Sequence, residues 1–467
     1  MINFDIMIKR VSVIALLLIM SRGLQAQVHQ VEALIRNLPD TKVYLSLYQD
    51  GEYVRVDSAG SVNGSFYFAL DIHHLQGMYR IEWAGERAGN QGRGMKYIEF
   101  IWAGESFSVF ADADDPGGTV IFDGSEENRV LGIFRDYELT YEQKMNALYQ
   151  VLDRYPEEDS FYRAAADHFV QLQVRRDSLI TGLEKQYPGL FATKIAMAYR
   201  SPVVPADLHG RERVDFLKTH FFEKAPVSNS DLLHAPVYSR RIIEYLMLYR
   251  DGQYSFSEQE EAFTDAVDII MANVAGDREL RSFVVDYLLE GFESFGMEKI
   301  QTYIVDTYAD ETCSTDAVEL ARERVEGYRK MAEGQLAEDI LIRNDKHELV
   351  KLSEVDADVV LVLFWATHCE HCMEMMPALH EWYMTDRPEN VEIFAVSIDT
   401  AATAWQQYSM VTDPPWINTR EPMGWEGKSA EDYNIYATPT MFLLDHERKI
   451  IARPFTLREL RREIRRL

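Results

Sequence analysis

Cysteine is scarce in this chain: there are three among 467 residues, too few for the disulfide scaffolds that staple small secreted domains. Membrane-spanning runs are missing too. The apolar stretch Val11–Met20 is about ten residues, where a helix needs roughly 20 to cross about 30 Å of hydrocarbon, and no later segment is apolar enough to cross a membrane. Basic residues are outnumbered, 48 Lys and Arg against 76 Asp and Glu, for a formal net charge of −28. Such a surface repels nucleic acid and anionic lipid, so nucleic acid is excluded as a partner. No repeat period is visible, and no second C-x-x-C accompanies the one described below.

The rest of the composition, 47% hydrophobic and 27% charged, is that of a globular protein. The length predicts roughly two to four domains at about 100 to 200 residues each. At the N-terminus, Lys9 and Arg10 precede the apolar run, and Leu24-Gln25-Ala26 follows it. This pattern predicts a cleavable secretory signal over residues 1–26. With no Cys after the cut, lipoprotein anchoring is not expected, and the mature protein is expected to be soluble.

Three further segments follow from periodicity. Over residues 27–127 apolar residues alternate, as in Val43, Leu45, Leu47 and Phe66, Phe68, Leu70, with reversals marked by Asn63-Gly64 and Asp115-Pro116-Gly117-Gly118. Period two with turn residues between predicts a β-sandwich. The acidic Asp112, Asp114 and Asp115 lack a closing Glu at calcium-loop spacing and are expected to form a plain turn. Over residues 128–334 the period changes to that of helices, with Leu131, Phe134 and Met145 on one face and Ala165, Phe169 and Leu172 on another. Its Met and aromatic stripes are read as packing rather than as a cofactor site. Residues 335–467 alternate strands (Val359–Phe364, Val391–Ile398, Met441–Leu444) with helices, which predicts a partly parallel sheet flanked by helices. The arginines 458, 461, 462, 465 and 466 end the chain as a solvated helix face.

Chemistry concentrates at Phe364-Trp365-Ala366-Thr367-His368-Cys369-Glu370-His371-Cys372, where a buried strand hands over to a helix. Unpaired N–H groups and the dipole at a helix N-terminus favour an anion, so the first thiol there is expected to ionise readily. The thiolate is the nucleophile, and a spacing of two residues keeps the second sulfur within one turn, able to resolve a mixed disulfide. Four ligands so close on one turn rarely surround an ion tetrahedrally, so neither a metal nor another cofactor is expected. Cys313 is read as a lone thiol.

The motif F-W-A-x-x-C-x-x-C with Pro377 five residues later resembles the thioredoxin superfamily, in particular its exported TlpA/ResA-like branch, over roughly residues 335–467. Ala437-Thr438-Pro439-Thr440 before an apolar strand resembles that family's cis-proline loop. The resemblance implies a thioredoxin-like fold and thiol-disulfide exchange, with Thr438, Pro439 and Trp365 as substrate-contacting residues. Asp57-Ser58, Gly64-Ser65-Phe66, and Gly124-Ser125 with Asn128 resemble exported proteins of Gram-negative bacteria in which an uncharacterised β-domain precedes a thioredoxin-like one.

Departures from the family pattern bear on direction. The buried Asp that thioredoxin carries in the preceding strand is Leu363 here. Glu370 matches the Glu of the C-E-P-C motif in ResA-like proteins, and His368 and His371 replace the usual Trp and Pro. Glu370, His368 and His371 are therefore expected to tune the cysteine pair. A protonated imidazole beside Cys369 raises the reduction potential and Glu370 pushes the other way. About 30 mV equals about 1.4 kcal/mol for a two-electron couple, so a few such neighbours span the range from reductant to oxidant. The expected function is a periplasmic thiol-disulfide oxidoreductase acting on exported protein thiols or disulfides, with a membrane-bound redox donor or acceptor and net reduction favoured. The alternative is an envelope binding or scaffold protein whose redox pair is secondary or unused.

Overall fold

The computed structural model describes residues 28–71, 73–85, 94–225, 227–309 and 315–467. The expected signal segment 1–26 and Cys313 lie outside the described residues. The chain divides into two compact units: the described residues up to Leu248 with Ala272–Phe283, and Tyr249–Met271 with Val284–Leu467. The division falls within the helical stretch, whose earlier helices belong to the first unit and whose later ones belong mainly to the second.

Among the described residues the first unit begins with eight strands: β1 (His29–Arg36), β2 (Lys42–Gln49), β3 (Glu52–Gly60), β4 (Ser65–Leu70), β5 (Gly77–Gly85), β6 (Gly94–Trp102), β7 (Phe107–Asp112) and β8 (Ile121–Asp123). They form two four-stranded sheets, ordered β4-β1-β7-β8 and β3-β2-β5-β6. The alternation in sequence is the cause of the sandwich. Val31, Ala33 and Ile35 from β1 and Phe66, Phe68 and Leu70 from β4 meet Leu45, Tyr79, Ile81, Trp83 and Phe100 from the other sheet in one core.

Asn63 and Gly64 both have positive φ, 51° and 78°, as the expected Asn-Gly turn requires. A Cβ on Gly64 would lie 2.2 Å from the Ile35 carbonyl oxygen, so only glycine fits. The turn does not join paired neighbours of one sheet, however. A single bridge, Val62 to Ser65, closes it, and β4 leaves to pair with β1. The second expected reversal is a short helix, Pro116–Thr119, capped by the Asp115 carboxylate, which accepts from Gly118 N. Asp112 accepts hydrogen bonds from Arg36, Asn37 and the Asp114 N–H, the contacts of a structural turn.

The long helix Glu126–Leu152 is capped by Ser125, whose hydroxyl accepts from Asn128 N. The buried Asn128 side chain then extends the edge of β6, accepting from Ile101 N at 2.7 Å and donating to Ile101 O at 2.8 Å. Its partner helix Ser160–Gln186 packs through Tyr162, Ala165, Phe169 and Leu172 against Met145 and Leu152. The apolar stripes of this region thus serve as packing.

In the second unit, β9 (Leu341–Arg343) and β10 (Leu349–Lys351) form a hairpin. β11 (Val359–Trp365), β12 (Val391–Ser397), β13 (Ile417–Arg420), β14 (Thr440–Asp445) and β15 (Ile450–Ala452) form a sheet ordered β13-β12-β11-β14-β15. β11, β12 and β13 run parallel, and β14 runs antiparallel to both its neighbours, β11 and β15. Every residue of β11 is buried because both faces of this central strand are covered. Val360, Val362 and Phe364 face one core, and Leu361, Leu363 and Trp365 face the helix Glu370–Thr385. The basic helix Leu457–Arg466 closes the chain, with Leu460 and Ile464 buried. The earlier helices of this unit are tied to it by Glu298, which accepts from Arg453 and from Tyr436 Oη at 2.9 Å. No described helix is long and apolar enough to cross a membrane.

Candidate active site

The site forms where β11 ends. Its antiparallel register with β14 sets Phe364 opposite Thr440, so the chain just after Phe364 and the chain just before Thr440 must run side by side. That places the loop Thr367–Cys369 beside Ala437–Pro439. The Thr438-Pro439 bond is cis, as expected from the motif, and Thr438 O lies 3.2 Å from Cys369 Sγ.

Cys369 is the N-cap of the helix Glu370–Thr385, its sulfur accepting the Cys372 N–H at 3.2 Å. The position of the first sulfur at the positive end of a 16-residue helix is the electrostatic feature predicted from sequence. Cys369 and Cys372 are joined in a disulfide with Cα atoms 5.2 Å apart. They are not equivalent. Cys369 is partly exposed, whereas Cys372 is fully buried among Leu363, Trp365 and Met376.

The remaining predicted residues separate into groups. His368, Glu370 and His371 are exposed around the disulfide. Glu370 and His371 make no hydrogen bond or ion pair among the described residues, so any influence they have on the sulfurs acts through space. Thr438 and Pro439 are partly exposed beside Cys369. Trp365 departs from expectation. It is 0% exposed, packed 4.7 Å from the Tyr408 ring, and offers no surface to a substrate. The inward face of β11 dictates this, since residues 361, 363 and 365 share it. Leu363 sits on that same face, in the apolar core with Cys372.

One residue of the site was not anticipated. Asp399, two residues beyond the end of β12, is 4% exposed and gathers the active-site loop. It accepts from Thr367 N at 3.0 Å, Thr367 Oγ1 at 2.7 Å and Ser397 Oγ at 2.7 Å, and its Oδ1 is 3.2 Å from His368 Nδ1. Burial opposes its charge, but the hydrogen bonds from Ser397, Thr367 and His368 together outweigh burial and hold the carboxyl below its ordinary range. The sequence did carry a signal: Ser397-Ile398-Asp399 follows an apolar parallel strand, and the carboxyl ends of such strands are where α/β sheets assemble sites. Among the described residues no group of three or more His, Cys, Asp or Glu side chains is arranged to hold a metal ion.

Residues 334–453 match the AhpC/TSA family, and residues 29–131 match a domain of unknown function, DUF4369. Among curated relatives, the chain is 26% identical over 122 residues to the thiol-disulfide oxidoreductase ResA of Bacillus thuringiensis, covering 26% of this chain and 69% of that protein. It is 29% identical over 115 residues to the thioredoxin-like protein YneN of Bacillus subtilis, covering 25% of this chain and 66% of that one. Among solved structures, the thioredoxin domain of a thiol-disulfide oxidoreductase from Bacteroides vulgatus aligns at 25% identity with a TM-score of 0.27, covering 29% of this chain and 96% of that one. A thioredoxin-like protein from Bacteroides caccae aligns at 16% identity and a TM-score of 0.41, covering 57% and 97%.

Proposed function

We propose, for a chain that is a TlpA/ResA-like thiol-disulfide oxidoreductase of the thioredoxin superfamily with an additional N-terminal domain, that it acts in the periplasm on exported proteins and runs toward net reduction. The observation that carries the division of labour is the unequal burial of the two sulfurs, Cys369 reachable and Cys372 fully covered.

In the reducing direction the Cys369 thiolate attacks one sulfur of a substrate disulfide. A mixed disulfide forms and one substrate thiolate leaves. The Cys372 thiolate then attacks Cys369 Sγ, the second substrate thiolate leaves, and the Cys369–Cys372 disulfide closes, so two electrons have passed from enzyme to substrate. A dithiol donor, proposed here to be membrane-bound, restores the reduced pair by the reverse exchange. Thr438 and Pro439 guide the incoming chain, since the Thr438 carbonyl oxygen borders Cys369 Sγ. His368, Glu370 and His371 set the ionisation of the pair.

Location rests on Lys9, Arg10 and the apolar run ending near Ala26. Direction rests on Glu370, the acidic residue between the cysteines in ResA-like motifs. The test is the equilibrium reduction potential of Cys369/Cys372 in protein with Cys313→Ser. A value near or below about −250 mV supports a reductase, and one near about −150 mV turns the reading to an oxidase or isomerase. A pair that never titrates removes the redox role and leaves a binding protein.

A further inference from the structure

Within the N-terminal unit a cavity of about 290 Å³ is lined by the buried apolar side chains Leu131, Phe134, Ile195 and Val237 and by two buried guanidinium groups, Arg176 and Arg241. The two cations are treated differently. Arg176 is matched: its Nε and Nη2 each donate at 2.7 Å to the two carboxylate oxygens of Glu138. Arg241, 2% exposed, is not. Its Nη2 donates to the Phe221 carbonyl oxygen at 3.0 Å and its Cζ stacks 4.1 Å from the Phe221 ring centroid, so the group is held in place. No carboxylate among the described residues lies within ion-pair distance of it.

A buried cation whose opposite charge, Glu244, acts only through space is incompletely compensated, and arginine cannot relieve this by giving up its proton at physiological pH. Burial, with Arg176 beside it, outweighs the opposing pull of Glu244 and brings Arg241 down to about 10. The group borders a space lined by both apolar and charged side chains. The planar guanidinium is suited to a carboxylate or phosphate oxygen pair. Four arginines (Arg135, Arg176, Arg240 and Arg241) and three glutamates (Glu138, Glu142 and Glu244) border the cavity, an excess of one positive charge that favours a ligand with a single negative charge.

We propose that this cavity binds a small organic monocarboxylate, its head paired with Arg241 and its apolar body against Leu131, Phe134 and Ile195. This assigns a ligand site to the N-terminal unit independently of the disulfide chemistry.

The experiment is calorimetric titration of the full chain with benzoate and hexanoate at constant ionic strength. Benzyl alcohol serves as the neutral counterpart of benzoate, and inorganic phosphate as a head without a body. Saturable binding of at least one of the two carboxylates is expected, at least tenfold tighter than benzyl alcohol or phosphate, and weakened at least tenfold by Arg241→Met. Failure of both carboxylates to bind, or equal binding to Arg241→Met, overturns the proposal. Because that variant could lose binding by misfolding, Ile195→Trp is the second: it fills the cavity and leaves every charge in place. It is expected to abolish carboxylate binding while keeping disulfide exchange, and binding that survives in it overturns the placement. Melting of the unliganded variant separates the roles further. A ligand-binding Arg241 predicts an unchanged or higher Tm in Arg241→Met, and a clear fall in Tm marks the residue as structural and overturns the proposal.

Discussion

Asp399 Oδ1 stands 3.2 Å from Nδ1 of His368, so the residue immediately before Cys369 is tied to a buried carboxylate 31 positions away in the chain. The same carboxylate holds Thr367 through both its N–H and its hydroxyl. The approach to the disulfide is therefore pinned from the end of β12, and the position of His368 relative to the sulfur is a property of two strands together.

Asp399→Asn keeps the shape and removes the charge. With the folded carboxyl held below its ordinary value, the stabilisation it gives is present above the unfolded value, about 3.9, and is lost as pH falls through the lower folded one. The variant is expected to be less stable by about 1.5–3 kcal/mol at pH 7, the range for hydrogen bonds to a charged group. The gap should close in urea melts as pH falls through that lower value, and a gap equally wide in acid would show that the charge is not its source.

His368→Ala leaves the fold intact, since the side chain is 65% exposed. If the imidazole supports the thiolate, the midpoint for alkylation of reduced Cys369 by iodoacetamide rises. A charge beside a helix terminus is worth about 0.3–1 kcal/mol, so the rise is expected to stay below about one pH unit. An unmoved midpoint would take His368 out of the tuning set.

Cys372→Ser should trap a mixed disulfide between Cys369 and a protein substrate, visible on non-reducing gels, because the resolving sulfur is gone. Cys369→Ser should trap none, since Cys372 is 0% exposed. Equal trapping by both variants would mean that the buried sulfur is reachable.

Trp365→Ala is expected to cost about 3–5 kcal/mol of stability, the range for emptying an aromatic core position. The folded fraction should retain its KM for an insulin disulfide, because Trp365 does not reach the surface. A KM raised severalfold with stability unchanged would restore the residue to the substrate site.

Glu298→Gln breaks a bond to Arg453 whose partners are 19% and 20% exposed, and weakens the one to Tyr436 Oη. A loss of about 2–4 kcal/mol is expected, somewhat below or within the range for breaking a buried ion pair. By the same reasoning a fragment starting at residue 335 should melt well below one starting at 249, since it lacks Glu298 and the Phe256 ring stacked on Phe455. Equal melting temperatures would make the segment 335–467 independent of the helices before it.

Much of the site was legible because it is local. The cysteine spacing, the apolar strand before it and the Ala437-Thr438-Pro439-Thr440 turn each carry their chemistry within a few residues, and periods of two and of 3.6 report which face of a segment is buried. The Asn63-Gly64 turn shows where this stops. Its dihedral angles follow from the two residue types, but the departure of β4 to pair with β1 depends on which sheet edge is free, and no property of residues 62–66 encodes that.

By itself the sequence determined the succession of strand-rich, helical and mixed segments, the placing of a thiol pair at a helix start and the class of reaction. Tertiary structure decided what required pairing between distant segments: the burial of Trp365 and Cys372, the arrival of Asp399 at His368, the division of the helices between two units, and the burial of Arg241 beside a cavity. The physical reason is range. Backbone preference and amphipathic period act over one or two turns of chain, whereas desolvation of a side chain and the partner found by a buried charge depend on groups that only the packed fold brings within a few ångströms.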